Sequence, residues 1–213
     1  MVTPSAAALV IRDALARDAY VVTQVLSAAF AETPLGRWLD SDPTTRQLSC
    51  LGFVGGLVVE TINSGIVRVV EDDGEVIGAA LWSLHSRAAR ASATEPAAPD
   101  VDDLAPTPPV RRRQALLTRA ADIRFPPRLP YHRLVYMGVR PERQGQGIGS
   151  YLLIGHHALL HVTDTPSFLL ADGIRSRRLF ERHGYTSIGA PELLPDAAPI
   201  WAMWRTPKPA DPL

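Results

Sequence analysis

The sequence predicts an α+β fold, and three stretches carry that prediction. Residues 134–154 read strand, glycine-rich turn, helix. Residues 134–139 are apolar and β-prone, Pro141 has no N–H to give to a ladder, Gly145, Gly147 and Gly149 follow, and Tyr151, Leu152, Leu153 and Ile154 begin a buried helix. Residues 66–71 and 75–85 form two strands around Asp72-Asp73-Gly74, a hairpin turn. Ahead of both, apolar residues recur at helical spacing from Val21 to Phe30 and from Leu48 to Ile62.

Taken in order, residues 8–13 read as a first strand. Asp18 can cap a helix with Val21, Val22, Val25, Leu26, Ala29 and Phe30 on one face, ended by Pro34. Residues 35–42 carry Trp38 in a loop or short helix. Asp42-Pro43 opens a second helix through Leu48, Leu51, Val54, Val58 and Ile62, stopping near Gly65, with Gly52, Gly55 and Gly56 weakening its regularity. The hairpin follows. Residues 87–109 are rich in Ala and Pro and read as a flexible loop; residues 111–123 are helical and carry the basic triplet Arg111-Arg112-Arg113, read as a solvated helix face. Pro126-Pro127 and Pro130 deliver the chain into the central strand. After the glycine turn the helix runs to about His161, residues 168–171 are a strand, and residues 174–183 a helix closed by Gly184 as its C′ glycine. Residues 185–189 and 200–205 are the last strands, with Trp201 and Met203 on one face and Ala202 and Trp204 on the other.

The chain has 213 residues, enough for one domain with a sizeable core, and 46% of them are hydrophobic. Formal net charge is zero, so no electrostatic signal points to nucleic acid or an anionic membrane surface. The single Cys50 excludes an internal disulfide. No apolar run is long enough to span a bilayer and no signal-peptide pattern opens the chain, so a cytoplasmic protein is expected. His157 and His161 share a helix face beside His156, but there is no H-E-x-x-H and no carboxylate at ligand spacing; surface histidines, and no metal, are expected.

The glycine turn has its own chemistry. Glycine removes the Cβ that would hold a ligand off the backbone, and the helix start offers N–H groups without intrahelical partners. Together they suit a phosphate-like anion. Neither G-x-x-x-x-G-K-S/T nor G-x-G-x-x-G is present, which excludes a P-loop and argues against a dinucleotide fingerprint.

Residues 139–150, V-R-P-E-R-Q-G-Q-G-I-G-S, resemble the acetyl-CoA pyrophosphate motif of the GNAT superfamily of N-acetyltransferases, R/Q-x-x-G-x-G/A, matched by Gln144, Gly147 and Gly149. Residues 179–185, L-F-E-R-H-G-Y, resemble the superfamily's F-Y-E-R-x-G-F signature. Ala28-Ala29-Phe30-Ala31-Glu32, Ser167-Phe168-Leu169 and Ile200-Trp201-Ala202-Met203 look most like the puromycin N-acetyltransferases, in register over most of the chain. The resemblance implies a single GNAT domain over residues 1–213, with residues 87–130 as a variable insertion. It implies a mixed, mostly antiparallel sheet of roughly six to seven strands flanked by helices, bulged near Met137-Gly138 and splayed between strands 4 and 5. It places acetyl-CoA, the co-substrate, along Met137, Gly138 and Val139, with its pyrophosphate on Gln144, Gly145, Gln146, Gly147, Ile148, Gly149 and Ser150, and adds Ser176 to the coenzyme set.

The expected reaction is acetyl transfer to a primary amine of a small molecule, of antibiotic or natural-product type, by direct attack on the thioester with a backbone N–H stabilising the oxyanion. The resemblance departs at two positions: the usual tyrosine falls on Phe180 and the usual carboxylate on Leu170. Asp172, His132 and Tyr136 are the candidate substitutes for acid and base. Glu32, Trp38, Trp82 and His85 are the candidate acceptor residues, with Trp38, Trp82 and Trp201 as an aromatic pocket. A monomer or homodimer is expected. Two alternatives stay open, a non-catalytic acyl-CoA-binding protein and an acyltransferase acting on a protein amine.

Overall fold

The computed structural model describes residues 9–86, 109–123 and 130–207. The expected loop over residues 87–108 and Pro126-Pro127 lie outside the described residues. Seven strands form one sheet: β1 (Val10–Asp13), β2 (Ile66–Asp72), β3 (Glu75–His85), β4 (Tyr131–Val139), β5 (Ser167–Asp172), β6 (Thr186–Ser187) and β7 (Ile200–Arg205). Their order is β1-β2-β3-β4-β5-β7-β6. Every pairing is antiparallel except β4 with β5, so the α+β, mixed and mostly antiparallel sheet is as expected.

One face of the sheet is covered by α1 (Ala19–Ala31), α2 (Pro34–Leu39), α3 (Arg46–Ser64) and α4 (Pro109–Ile123). The other face is covered by α5 (Ile148–Val162) and α6 (Gly173–Arg182). Val22, Leu26, Val54, Val58, Val69 and Leu81 are buried in the first layer, and Val70, Trp82, Leu152, Leu153 and Met203 in the second. Trp201 joins the α5 face while Ala202 and Trp204 pack with Tyr131 and Phe168, as period-two alternation requires.

Several local expectations are corrected. Pro34 does not end α1; that helix stops at Ala31, and Pro34 opens α2 behind Thr33, whose hydroxyl accepts the Gly36 N–H at 3.0 Å. Proline is at ease there because a first-turn N–H has no partner to lose. Asp18 does not cap α1 with its side chain; its carboxylate accepts from Arg12 Nη1 at 2.6 Å and from the Leu15 N–H at 2.7 Å. α3 begins at Arg46 rather than at Asp42, because the Asp42 carboxylate accepts from the Thr44 N–H at 2.8 Å and closes a turn first. Its buried face is Cys50, Val54, Val58 and Thr61, leaving the expected Leu48 exposed. Three glycines notwithstanding, α3 is continuous over 19 residues, since its stability comes from packing on α1.

The feature that shapes the sheet lies in β4. Leu81 stands opposite Tyr136 and Trp82 opposite Leu134, which leaves Val135 as an extra residue, a β-bulge. The bulge lies ahead of the expected Met137-Gly138. It places Val135 and Tyr136 on the same α1–α3 face, while Leu134 and Met137 pack toward α5. Beyond it, Gly138 lets α1 close onto the strand: a Cβ there would meet Ala29 Cβ at 2.8 Å and Leu26 Cδ2 at 3.1 Å. The pairing of β4 with β5 runs only from His132↔Ser167 to Leu134↔Leu169. After that the two strands part, which is the expected splay. Gly138→Val overfills this contact, and a loss of about 1–3 kcal/mol in urea unfolding is expected; combining it with Ala29→Gly recovers part of that loss.

Candidate active site

The turn after β4 is built as an open cradle. Pro141–Arg143 forms a short 3-10 turn, and α5 starts behind Gly147 as N-cap. Gly145 and Gly147 hold φ of 78° and 82°, and a Cβ at either would meet nothing within 4 Å. The conformation therefore demands glycine while the space above the backbone stays open. The first intrahelical bond is Tyr151 N–H to the Gly147 carbonyl at 3.0 Å, so the N–H groups of Ile148, Gly149 and Ser150 precede it. Ser150 Oγ lies 3.0 Å from His183 Nε2. The nearby arginines are already neutralised: Arg143 pairs with Asp72 at 2.5 Å and Arg140 with Glu75 at 2.9 Å. Attraction for an anion thus comes mainly from the helix N-terminus.

The cradle continues into the splay. Arg140 donates its N–H to the Ile77 carbonyl at 2.9 Å, toward β3. Backbone groups alternate along an antiparallel strand, so Met137 and Val139 direct theirs away from β3, into the gap that β5 leaves. Gln144 Nε2 donates to the Val139 carbonyl at 3.1 Å and fixes the turn against the strand end. Ser176, in the first turn of α6, donates its hydroxyl back to the Gly173 carbonyl at 3.0 Å and to the Asp172 carbonyl. The set Gln144 to Ser150 with Met137 and Val139 fits a long, thin molecule with a charged diphosphate at one end.

Asp172 ends β5 on the face of Leu170, since the strand continues through it. It sits at the N-cap of α6 without using its side chain as a cap. Its Oδ2 is sealed from solvent and has no hydrogen-bond partner. Burial pushes the carboxyl up to about 6, against the opposing pull of Thr33 and Ser176. Tyr136 lies within its electrostatic reach. Burial first, then Asp172, pushes that phenol well above its ordinary range, so it stays protonated. Its ring packs edge-on against Phe30 with centroids 5.5 Å apart. The bulge is what turns Tyr136 to this side.

The other candidates are not gathered there. His132 pairs with Ser167, five residues along β5 from Asp172, about 16 Å away at strand rise. Its Nδ1 lies 3.1 Å from His156 Nε2. His85 stands at the same far end, stacked on Tyr131 at 4.9 Å. Trp82 is fully buried, stacked on His156 at 3.8 Å, so the aromatic pocket of Trp38, Trp82 and Trp201 does not form; Trp38 belongs to the opposite face. Glu32 is exposed and paired with Arg37 at 3.1 Å, one residue before Thr33. Phe180 is buried with its ring edge-on to Tyr185 and has no proton to give. Among the described residues no group of three or more His, Cys, Asp or Glu is placed to hold a metal.

The expectation of surface histidines holds for the exposed His161 and is overturned for His156 and His157. His156 is 0% and His157 is 6% exposed. They face the sheet because residues 156 and 157 fall on the buried side of α5; His156 Nε2 meets His132 and His157 Nε2 meets Tyr185, while His156 Nδ1 is buried without a partner. Of the wall around a cavity of about 410 Å³, sequence reading named Trp38 as an acceptor residue but missed Pro109, Arg112, Arg113, Leu116, Pro195 and Asp196, and it missed Thr33. No spacing rule joins positions so far apart in the chain; only the Thr-Pro pair at the start of α2 was a local signal.

No protein-family model matches the chain. Solved structures do. A structure from Corynebacterium glutamicum described as histone acetyltransferase HPA2 and related acetyltransferase matches at 25% identity and TM-score 0.65, covering 96% of this chain and 98% of its own. The fold is that of the GNAT acetyltransferases. Arylalkylamine N-acetyltransferase 2 from Aedes aegypti follows the same path at 13% identity and TM-score 0.66, over 93% of this chain and 98% of its own. An acetyltransferase of the GNAT family from Desulfovibrio desulfuricans matches at 17% identity and TM-score 0.54, over 92% and 97%. At such identities these last two likenesses speak for fold alone.

Burial depresses His156 to about 2 and His157 to about 3. A lowered folded value means the unfolded chain binds protons first, so stability is whole above about pH 6.5 and is lost as pH falls below it. Each ring is expected to cost on the order of 2 kcal/mol between pH 7 and pH 5. Asp172 acts in the opposite sense, because its raised value favours the folded state as pH falls through about 6. It offsets only about 1 kcal/mol of that loss. Urea titrations at the two pH values should show a lower midpoint at pH 5, and a smaller drop in His157→Gln.

Proposed function

We propose that the chain is an acetyl-CoA-dependent N-acetyltransferase acting on a primary amine of a small molecule, of antibiotic or natural-product type, and that its sheet and helices form one acetyltransferase domain. The observation that carries this reading is the continuity of the open glycine cradle, the splayed edge of β4 and the half-buried carboxylate of Asp172 with its unpartnered Oδ2. Acetyl-CoA supplies the thioester. The N–H groups of Ile148, Gly149 and Ser150 bind its diphosphate, and those of Met137 and Val139 line its arm and polarise the acyl carbonyl.

Asp172 takes the proton that the attacking amine gives up. With its carboxyl raised to about 6 it is ionised at neutral pH yet basic enough to serve. As the N–C bond forms the C–S bond breaks, and the Tyr136 hydroxyl, held protonated, gives its proton to the leaving sulfur in place of the absent tyrosine at Phe180. Holding the two reactants together supplies much of the remaining acceleration.

A thiol-release assay across primary amines tests the activity. Asp172→Asn is expected to lower kcat/KM about 100-fold with acetyl-CoA affinity kept, and Tyr136→Phe about 10-fold. In the wild type, log kcat/KM should steepen below an apparent pKa near 6, the Asp172 value, and that break should vanish in Asp172→Asn. An unchanged profile in the variant would remove Asp172 from the mechanism.

A further inference from the structure

Two walls run outward from Asp172. The first is α2: Thr33 acts on the Asp172 carboxyl, Pro34 packs 3.5 Å from where a Gly173 Cβ would stand, and the helix then carries Trp38. The second is the segment before β7. Asp172 pairs with Ile200, Gly173 donates its N–H to the Pro199 carbonyl at 3.4 Å, and the chain leads back to Asp196 and Pro195. The walls meet again where Trp38 Nε1 donates to the Pro195 carbonyl at 2.6 Å. There Trp38, Pro195 and Asp196 line, with α4, a half-open hollow of about 410 Å³, a volume suited to a small organic molecule. Thr33 and Trp38, at the two ends, are five residues apart along α2, about 7.5 Å at helical rise.

The lining has a definite character. Trp38, Pro109, Leu116 and Pro195 give flat apolar walls, and the polar groups are Arg112, Arg113 and Asp196. Arg113 lies over the Trp38 ring at 5.6 Å. No described carboxylate forms an ion pair with Arg112 or Arg113. Among the described lining residues, two guanidinium groups stand against one exposed carboxylate, a net positive charge. Such a wall repels a polycationic amine and offers planar forked donors to an anion.

Resting on the transferase reading above, we propose that the acceptor is a ring-bearing primary amine with a carboxylate at the end remote from the amine. The amine lies at Asp172, the ring between Trp38 and Leu116, and the carboxylate on Arg112 and Arg113. Two of the three arginines that the sequence offers as a solvated helix face, Arg112 and the half-buried Arg113, are thereby specificity elements, while Arg111 stays on the exposed face.

The test measures kcat/KM for 4-(2-aminoethyl)benzoate, 2-phenylethylamine and agmatine with acetyl-CoA. The benzoate should exceed the neutral analogue by about 10-fold or more, with agmatine slowest. In Arg112→Ala/Arg113→Ala, with its fold confirmed by circular dichroism, the benzoate-to-neutral ratio should collapse toward one; Arg113→Lys, which keeps charge without the fork, should fall between. Equal or better use of the neutral amine by the wild type, or a ratio that survives in the double variant, overturns the inference and leaves the transferase reading standing. Silence with every amine, while acetyl-CoA binds, sinks the transferase reading and this inference with it.

Discussion

The structure depends on a strand pairing that is broken off early. β4 and β5 are parallel neighbours for three residue pairs and then separate. The Val135 bulge turns Tyr136 toward α1, and the missing Cβ of Gly138 lets Ala29 and Leu26 press against the strand's second half. β4 stays paired with β3 as far as Val139, while β5 runs on to Asp172 beside β7. Unpaired backbone in the middle of a sheet is costly unless something bonds to it. In this molecule that cost marks where an extended ligand can be received.

The cradle and the splay are one device. The glycines at positive φ reverse the chain so that α5 begins beside the unpaired edge of β4, and Gln144 ties the two together through the Val139 carbonyl. The neighbouring arginines are paired with Glu75 and Asp72, which leaves the backbone N–H groups as the turn's open donors. On the other side of the gap, burial leaves Asp172 with one oxygen sealed and unpartnered, a state that a purely structural N-cap would not need. The same sheet keeps its neutral histidines on the α5 face, away from that carboxylate.

The fold was legible in the sequence because its signals are local. The Asp-Gly hairpin, the glycine turn, Gly184 behind α6 and the alternation of Trp201 to Trp204 each need only neighbours in the chain to act. Element starts were less legible. Asp18 and Asp42 have the right side chain for capping, but Arg12 and Thr44 compete for it, and nothing in the spacing says which partner wins. Of the site, the glycine turn was readable, whereas the strand expected over residues 168–171 runs on to Asp172. The bulge position, the reach of Tyr136 to Asp172 and the cavity at Trp38 depend on contacts between residues far apart in the chain. His156 and His157 were misread for a related reason: helical period gives two sides, and the choice of buried side was made by the sheet, through Trp82 and Tyr185.

The most direct test of the account is calorimetric titration of acetyl-CoA into the wild-type chain and into Gly147→Glu. That substitution sets a carboxylate over the open turn at a backbone conformation reserved for glycine. The account predicts saturable one-to-one binding by the wild type and its loss in the variant, with circular dichroism unchanged. A wild type that does not bind acetyl-CoA, or a folded variant that binds it equally well, would contradict the claim that this turn holds the coenzyme.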